Sequence, residues 1–393
     1  MPSERTSWIL VLALWAAGLG AAAQFAKISV PFAFLQQAYP EAGLGLGFLV
    51  SLLSFLGILF GLLAGLILPR FGFRRMLIPA LALGAVVSLG QSVLPPLPVM
   101  LLSRVIEGAS HLVIVVAAPT LIARVASSRD RGVAMVLWST FFGVSFAIVA
   151  WLGLPLVRTF GLQSLFLTHA AVMAGIAVLL AWRLPGEPDR VAPPPLGGVR
   201  GILRKHTTVY ASPHQAAPAL AWLFYTLTFV SLLTVLPGQI AEPHRAMAAG
   251  AMPIASLVTS MTLGVLLLRW VSAVTLVMTG FALSAGVSLM MAWSPGSPWL
   301  AIALFGTLGL VQGAGFASIP ELNPGMAEQA NANGAVAQMG NLGNTLGTPI
   351  LLAALGAFGF NGLVGFALTC FAGGFIVHLW MKGRRGRSDW RLG

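Results

Sequence analysis

The chain has 393 residues, 58% of them hydrophobic and only 8% charged, where soluble globular domains carry about 25% charged residues. That balance excludes a soluble globular domain and predicts an all-α polytopic membrane protein. The formal net charge of +12 does not call for a nucleic-acid partner, because the basic residues sit at the ends of apolar runs, as membrane topology requires.

In chain order the apolar runs predict twelve transmembrane helices, at 8–34, 45–68, 75–94, 98–125, 132–157, 162–182, 217–238, 247–268, 271–293, 298–320, 334–358 and 361–381. The boundaries are thinnest at 268/271, where Arg269-Trp270 intervene, and at 94/98, where Pro95-Pro96 do. Ala21-Ala22-Ala23 imitates a signal cleavage site, but the run before it is weakly basic and continues beyond it. Residues 8–34 therefore read as a retained first span.

With both termini placed in the cytoplasm, 18 of the 22 Lys and Arg fall on cytoplasmic segments, clustered at 70–75, 124–131, 183–205 and 382–391. Only Arg158 and Arg245 fall outside, and Lys27 and Arg104 lie within spans. The bias sets the orientation of a multi-pass protein of the inner (plasma) membrane. The single cysteine, Cys370, rules out an internal disulfide framework. No Cys/His cluster has zinc-like spacing and no G-x-x-x-x-G-K-[ST] loop is present, so neither a metal nor a cofactor is expected, and ATP hydrolysis is not the motor.

A Pro-, Gly- and Arg-rich stretch, 186–216, separates an amino-terminal six-helix half (1–185) from a carboxy-terminal half with a basic tail (217–393). The halves are weakly related. Glu107-Gly108-Ala109 has a counterpart in Gln312-Gly313-Ala314, and Arg131-Gly132 in Asn333-Gly334. Duplication of this kind builds many secondary transporters, with the substrate site near the membrane midplane at the repeat interface.

Three local motifs resemble the major facilitator superfamily. The 65–75 loop, Gly65-Leu66-Ile67-Leu68-Pro69-Arg70-Phe71-Gly72-Phe73-Arg74-Arg75, is similar to the family's G-x-x-x-D-R-x-G-R-[KR]-[KR], with Pro69 in the acidic position and Phe73 in a basic one. Arg104-Val105-Ile106-Glu107-Gly108 resembles R-x-x-Q-G, and Arg129-Asp130-Arg131-Gly132 with Trp138 resembles the loop into span five. The G-x-x-x-G-P-x-x-G-G signature of drug/proton antiporters is missing from span five. Cyanate-permease-like and metabolite-efflux-like subfamilies both stay open. The resemblance implies a monomeric transporter without covalent chemistry, with Gly65, Arg70, Gly72, Arg74, Arg75, Arg131 and Gly132 as gating-loop residues. It also implies that spans one, four, seven and ten line a central cavity.

Ionisable residues within a span are costly, roughly 2.5–3.5 kcal/mol on insertion scales, and mark candidate sites. Gln24 and Lys27 share a face of span one with Gly20 and Pro31, and Arg104, Glu107 and His111 share a face of span four. Counting about 1.5 Å per residue puts Lys27 and Glu107 at nearly equal depths, about 12 and 13 Å below the outer surface. Glu107 is the candidate proton-coupling group, since an intramembrane carboxylate can take up a proton. Lys27 and Arg104 leave an excess of positive charge suited to a small carboxylate or other anion. The alternatives are that Lys27 snorkels to headgroups, that Arg104 and His111 serve the helix packing, and that Glu107 merely neutralises its neighbours.

The second half offers neutral polar groups: Tyr225 in span seven, Gln312 in span ten, and Gln338, Asn341 and Asn344 in span eleven. They would contact the polar body of a substrate, or serve as interhelical glue beside closely packed glycines. Glu321 and Asn323 close span ten as a gate or a cap. The expected function is proton-coupled transport of a small anionic or zwitterionic metabolite across the lipid bilayer. Drug or neutral-metabolite efflux is one alternative, and a non-transporting receptor or assembly factor on a transporter fold is another.

Overall fold

The computed structural model describes residues 5–127, 129–186 and 198–389, and every regular element in them is helical. The chain divides into two compact units, residues 1–193 and 194–393.

In the amino-terminal unit, α1 (Trp8–Ser29) stops short of the expected end at 34. Pro31 has no N–H to donate back along the helix, so the chain turns and restarts as α2 (Phe32–Ala38). The second span is built of α3 (Leu46–Ser51), a 3-10 turn (Leu52–Ser54) and α4 (Phe55–Phe71). It runs three residues past the expected end at 68 and absorbs most of the 65–75 motif. Gly72 alone forms the turn (φ 90°, ψ 130°), a conformation that favours glycine, and α5 (Phe73–Gln91) begins at once. α6 (Leu97–Val125) follows Pro96 as one unbroken helix.

The fifth span is irregular: α7 (Arg131–Ser139), α8 (Phe141–Ile148), a π-helical turn (Val149–Gly153) and α9 (Leu154–Phe160). Pro155, which cannot donate back along the helix, lies just past the π turn. α10 (Leu162–Arg183) closes the unit. Its core joins Leu14, Ala17, Leu81, Ile114, Ala118 and Met173 from four helices.

The expected linker 186–216 is not wholly a loop. Residues 187–197 lie outside the described residues, but α11 (Gly198–Ala211) is a regular helix. α12 (Pro213–Val235) starts four residues earlier than expected, because Ser212 caps it through Gln215 N and Pro213 occupies its first turn. α13 (Glu242–Thr259), a π turn and α14 (Val265–Leu267) make the eighth span. α15 (Ala273–Trp293) and α16 (Pro298–Leu322) both begin at serine caps, Ser272 and Ser297.

Eleven helical stretches among the described residues are long and apolar enough to cross a bilayer. The last of them, Asn331–Gly386, has 56 residues, or about 84 Å of helix against a hydrocarbon core of about 30 Å. It belongs to α17 (Met326–Asp389), which breaks at Gly359 (φ 59°, ψ −148°). Counted as two, its halves complete twelve spans. Gly362 lies against the Ala354 carbonyl across this break, leaving no room for a side chain.

The matched tripeptides of the two units pack alike. A side chain at Gly108 would meet the Leu53 carbonyl of the second span, and one at Gly313 would meet Ser260 of the eighth. In each unit the fourth span thus approaches the second through its glycine. Gly343 and Gly347 of α17 likewise lie against the α12 backbone at Leu223 and Leu227.

Because the Gly359 backbone is one that only glycine adopts freely, Gly359→Val is expected to destabilise the carboxy-terminal unit by about 1–3 kcal/mol. A lowered thermal unfolding midpoint of the detergent-purified protein is the check; an unchanged midpoint would show that the break carries no strain for other residues.

Candidate functional site

The ionisable residues of the first unit converge. α1 delivers Gln24 and Lys27, α5 delivers Ser88 and Gln91, α6 delivers Arg104 and Glu107, and α10 delivers His169. Lys27, Arg104 and Glu107 are all fully buried. Lys27 Nζ donates to Glu107 Oε1 at 2.6 Å and to Ser88 Oγ at 2.5 Å. Glu107 Oε2 accepts from an Arg104 guanidinium nitrogen, Nη1, and from Gln91 Nε2 at 3.0 Å. Arg104 uses its other edges on main chain, donating from Nε to the Leu49 carbonyl and from Nη2 to the Gln24 carbonyl, both at 2.7 Å.

Each ion removed from water costs several kcal/mol, which only close pairing and hydrogen bonding offset. Here two cations face one carboxylate, so the cluster carries an excess of one positive charge. Lys27 does not snorkel: its ammonium is enclosed and lies 5.5 Å from the Phe166 ring centroid.

His169 extends the network. Its Nε2 lies 3.0 Å from the Gly20 carbonyl, which can only accept, so Nε2 bears the hydrogen. Nδ1 is then the acceptor for the Ser88 hydroxyl at 2.7 Å, and Lys27 Nζ is 3.4 Å away. Gln24 Nε2 donates to Ser110 Oγ at 3.0 Å. The carbonyl oxygens Gln24 Oε1 and Gln91 Oε1 are buried without a hydrogen-bond partner. His111, although on the same face as Arg104, turns to α1, with Nδ1 3.1 Å from the Ala21 carbonyl and its ring edge-on to Phe25.

The candidates of the second unit do not form one set. Tyr225 is buried in an aromatic stack, 4.5 Å from Trp222 and 5.1 Å from Phe229 between ring centroids. Ser256 donates to Gln312 Oε1 at 3.1 Å. Gln338 is held by α11, accepting from Tyr210 Oη at 2.9 Å. Asn341 bonds back to Ala337 of its own helix, and Asn344 Oδ1 is buried without a partner. Thr226, Thr228, Ser231 and Thr234 all donate to carbonyls of α12 itself. Glu321 is a cap, accepting from the first amides of α15 at Ala273 and Val274.

Of the gating-loop candidates, Gly65, Arg70, Arg131 and Gly132 are placed by backbone alone, their side chains lying outside the described residues. Arg74 donates to the Ala181 carbonyl near the end of α10 at 2.8 Å, and Arg75 is exposed. Among the described residues no group of three or more His, Cys, Asp or Glu is arranged to hold a metal ion.

Sequence reasoning missed Ser88, Gln91, His169 and Trp222. The first three sit singly in apolar helices and form no motif; the only signal was that Gln91 and His169 are rare residue types for a span. Trp222 reads as membrane-interface bulk until its neighbours are known, yet Gly315 and Gly340 both lie against its ring.

The profile of the Major Facilitator Superfamily matches residues 10–348. A curated relative, the inner membrane transport protein YajR of Escherichia coli K12, is 26% identical over 178 residues. That match covers 45% of this chain and 38% of YajR, so the chain spans well under half the length of this relative. Two crystal structures of the transporter FucP share the fold. A variant of the E. coli fucose:proton symporter superposes with a TM-score of 0.67 at 16% identity, covering 96% of this chain and 99% of that one. FucP in an outward conformation gives 0.66 at 15% identity, covering 95% and 98%. With twelve apolar spans and a profile match across most of its length, the chain belongs to the major facilitator superfamily, a family of membrane transporters and not of enzymes.

Proposed function

We propose that the chain is a proton-coupled secondary transporter of a small anionic or zwitterionic metabolite. It acts as a monomer in the inner membrane, with both termini cytoplasmic, by alternating access of the halves 1–185 and 217–393. The observation that carries this reading is the enclosed cluster in which Lys27 and Arg104 share the single carboxylate of Glu107.

Protonation of Glu107 would remove the anion that both cations hold. Lys27 and Arg104 would then be left to pair with the carboxylate of an entering solute, Arg104 through its planar fork and Lys27 as a point charge. Proton and anion therefore reinforce each other's binding, and by linkage the effect is reciprocal. Each charge moved down the membrane potential supplies about 2.3 kcal/mol per 100 mV. Gln24, whose main-chain carbonyl and side-chain amide lie in the same enclosed network, adds a polar contact in this reading. Gly65, Arg70, Gly72, Arg74, Arg75, Arg131 and Gly132 form the gating loops. Fold similarity to the E. coli fucose:proton symporter supports proton coupling, and the YajR match supports the inner membrane. The one-sided distribution of Lys and Arg supports the orientation.

One observation favours a second reading, a facilitator or exporter of neutral metabolites or drugs. Lys27, Arg104 and Glu107 are already paired within the protein, as a purely neutralising role for Glu107 would require.

The two readings part in proteoliposomes loaded with a pH dye and offered lactate, succinate, phosphate, fucose or a lipophilic cation. Anion-dependent proton movement is expected in the wild type, with a loss of at least about tenfold in Glu107→Gln, the upper range for removing one essential proton-transfer group being larger. Flux with the cation or the sugar, or flux unchanged in the variant, would sink the coupling role; the absence of flux with any solute would favour a non-transporting receptor.

Stability should follow the charge count. Lys27→Met leaves Arg104 and Glu107 as a balanced pair, whereas Glu107→Gln leaves two buried cations without an anion. Breaking a buried pair costs about 3–5 kcal/mol, so Glu107→Gln is expected to lower the unfolding midpoint more than Lys27→Met. A carboxylate substrate should raise the midpoint of Glu107→Gln more than that of the wild type, since it supplies the missing anion. The reverse order of the two variants would show that the excess positive charge is not the governing feature.

A further inference from the structure

The connecting helix α11 has an apolar stripe that its own unit covers at the carboxy-terminal end and that is exposed at Leu203. Val199, Ile202, Leu203, His206, Val209 and Tyr210 share one face by i+3 and i+4 steps. At the carboxy-terminal end the stripe is packed. Val209 is 2% exposed and joins a core with Ala219, Ile319 and Val336, with Tyr210 against it. Tyr210 Oη donates to Gln338 Oε1 at 2.9 Å; burial pushes this hydroxyl up to about 12, so it stays a donor. Arg384 donates to the Ala211 carbonyl at 3.2 Å and Arg385 to the Pro213 carbonyl at 3.3 Å, closing the helix end. One turn and a half earlier Leu203, on the same face, is 61% exposed.

Two further features say what covers it. Ala211 is separated from the first residue of a membrane-spanning helix, Pro213, by Ser212 alone. The carboxy-terminal end of α11 is therefore at the membrane surface. The polar arc beside the stripe carries Arg200, Arg204 and Lys205, and residues 198–216 contain no acidic residue. An apolar stripe bordered by arginine and lysine is the pattern of a helix lying in the headgroup layer, with its apolar side chains at the acyl boundary and its cations on lipid phosphates.

We propose that α11 is a docking surface for anionic phospholipid, in which Leu203 enters the membrane interface and Arg200, Arg204 and Lys205 bind the headgroup phosphates. The observation behind this is independent of the charge cluster and of the solute transported. Lipid composition would then act on the segment that joins the two halves.

The sole native cysteine, Cys370, is buried, so a fluorophore can be placed at will in a Cys370→Ala background. The full-length protein carrying Leu203→Cys is labelled and reconstituted into vesicles of phosphatidylglycerol or of phosphatidylcholine, each with shallow nitroxide-labelled lipid. Thr208→Cys, exposed and on the opposite face of α11, reports on the polar side. The label at 203 is expected to be quenched by the nitroxide lipid in phosphatidylglycerol. Quenching should fall several-fold in phosphatidylcholine, and also in phosphatidylglycerol when Arg200→Gln, Arg204→Gln and Lys205→Gln are combined. The label at 208 should stay open to an aqueous quencher throughout. A 203 label equally open to the aqueous quencher in both lipids would overturn the proposal in favour of a solvated helix. A 203 label shielded from both quenchers, in detergent as in either lipid, would overturn it in favour of a protein cover.

Discussion

Carrying a lysine, an arginine and a glutamate into a bundle of apolar helices is tolerable only if each finds its partners inside the protein, and this requirement organises the amino-terminal unit. Arg104 ties α6 to α1 and α3 through two main-chain carbonyls while it holds Glu107. The carbonyl on α3, Leu49, precedes the 3-10 turn Leu52–Ser54, a change of hydrogen-bond register that leaves carbonyls available. Lys27 ties α1 to α5 and α6 in the same way. Four helices, α1, α3, α5 and α6, are thus fixed by the geometry of three charges. The side chains that finish the pairing, Ser88, Gln91 and His169, are the least conspicuous in sequence.

The carboxy-terminal unit solves a different problem. Its span-ten tripeptide has Gln312 where the first unit has Glu107, and the neighbouring glycine makes the same approach to the second span of its own unit. Backbone packing is shared, but the chemistry is not. Where the first unit holds ions, the second holds an aromatic stack of Trp222, Tyr225 and Phe229 beside a serine–glutamine hydrogen bond. The duplicated scaffold needs only glycine at the close contact, which leaves the adjacent residue free to be charged in one unit and neutral in the other.

Much of this architecture was legible in the residues. Periodic apolar runs and the lopsided placement of Lys and Arg suffice for twelve spans, and the motifs around Arg70, Glu107 and Arg131 suffice for the family. Helix ends were harder to read, because they turn on single residues. Pro31 stopped α1 early, Gly72 shrank a loop to one residue, and Ser212 with Pro213 began α12 before its hydropathy did. The connecting helix escaped notice because its apolar stripe is short and is interrupted by basic residues that also suit a loop.

The sequence by itself determined that ionisable groups occur inside spans one and four, on which helical face each lies, and that Lys27 and Glu107 reach similar depths. It did so because side-chain direction and rise per residue are local properties of a helix. Only the tertiary structure decided that Lys27, Arg104 and Glu107 close on one another with Gln91, Ser88 and His169, that His111 turns aside to Ala21, and that Gln338 belongs to α11. Those outcomes depend on how neighbouring helices rotate and slide against each other. That arrangement is set by the summed packing of small and large side chains along each contact, which no short stretch of the chain contains.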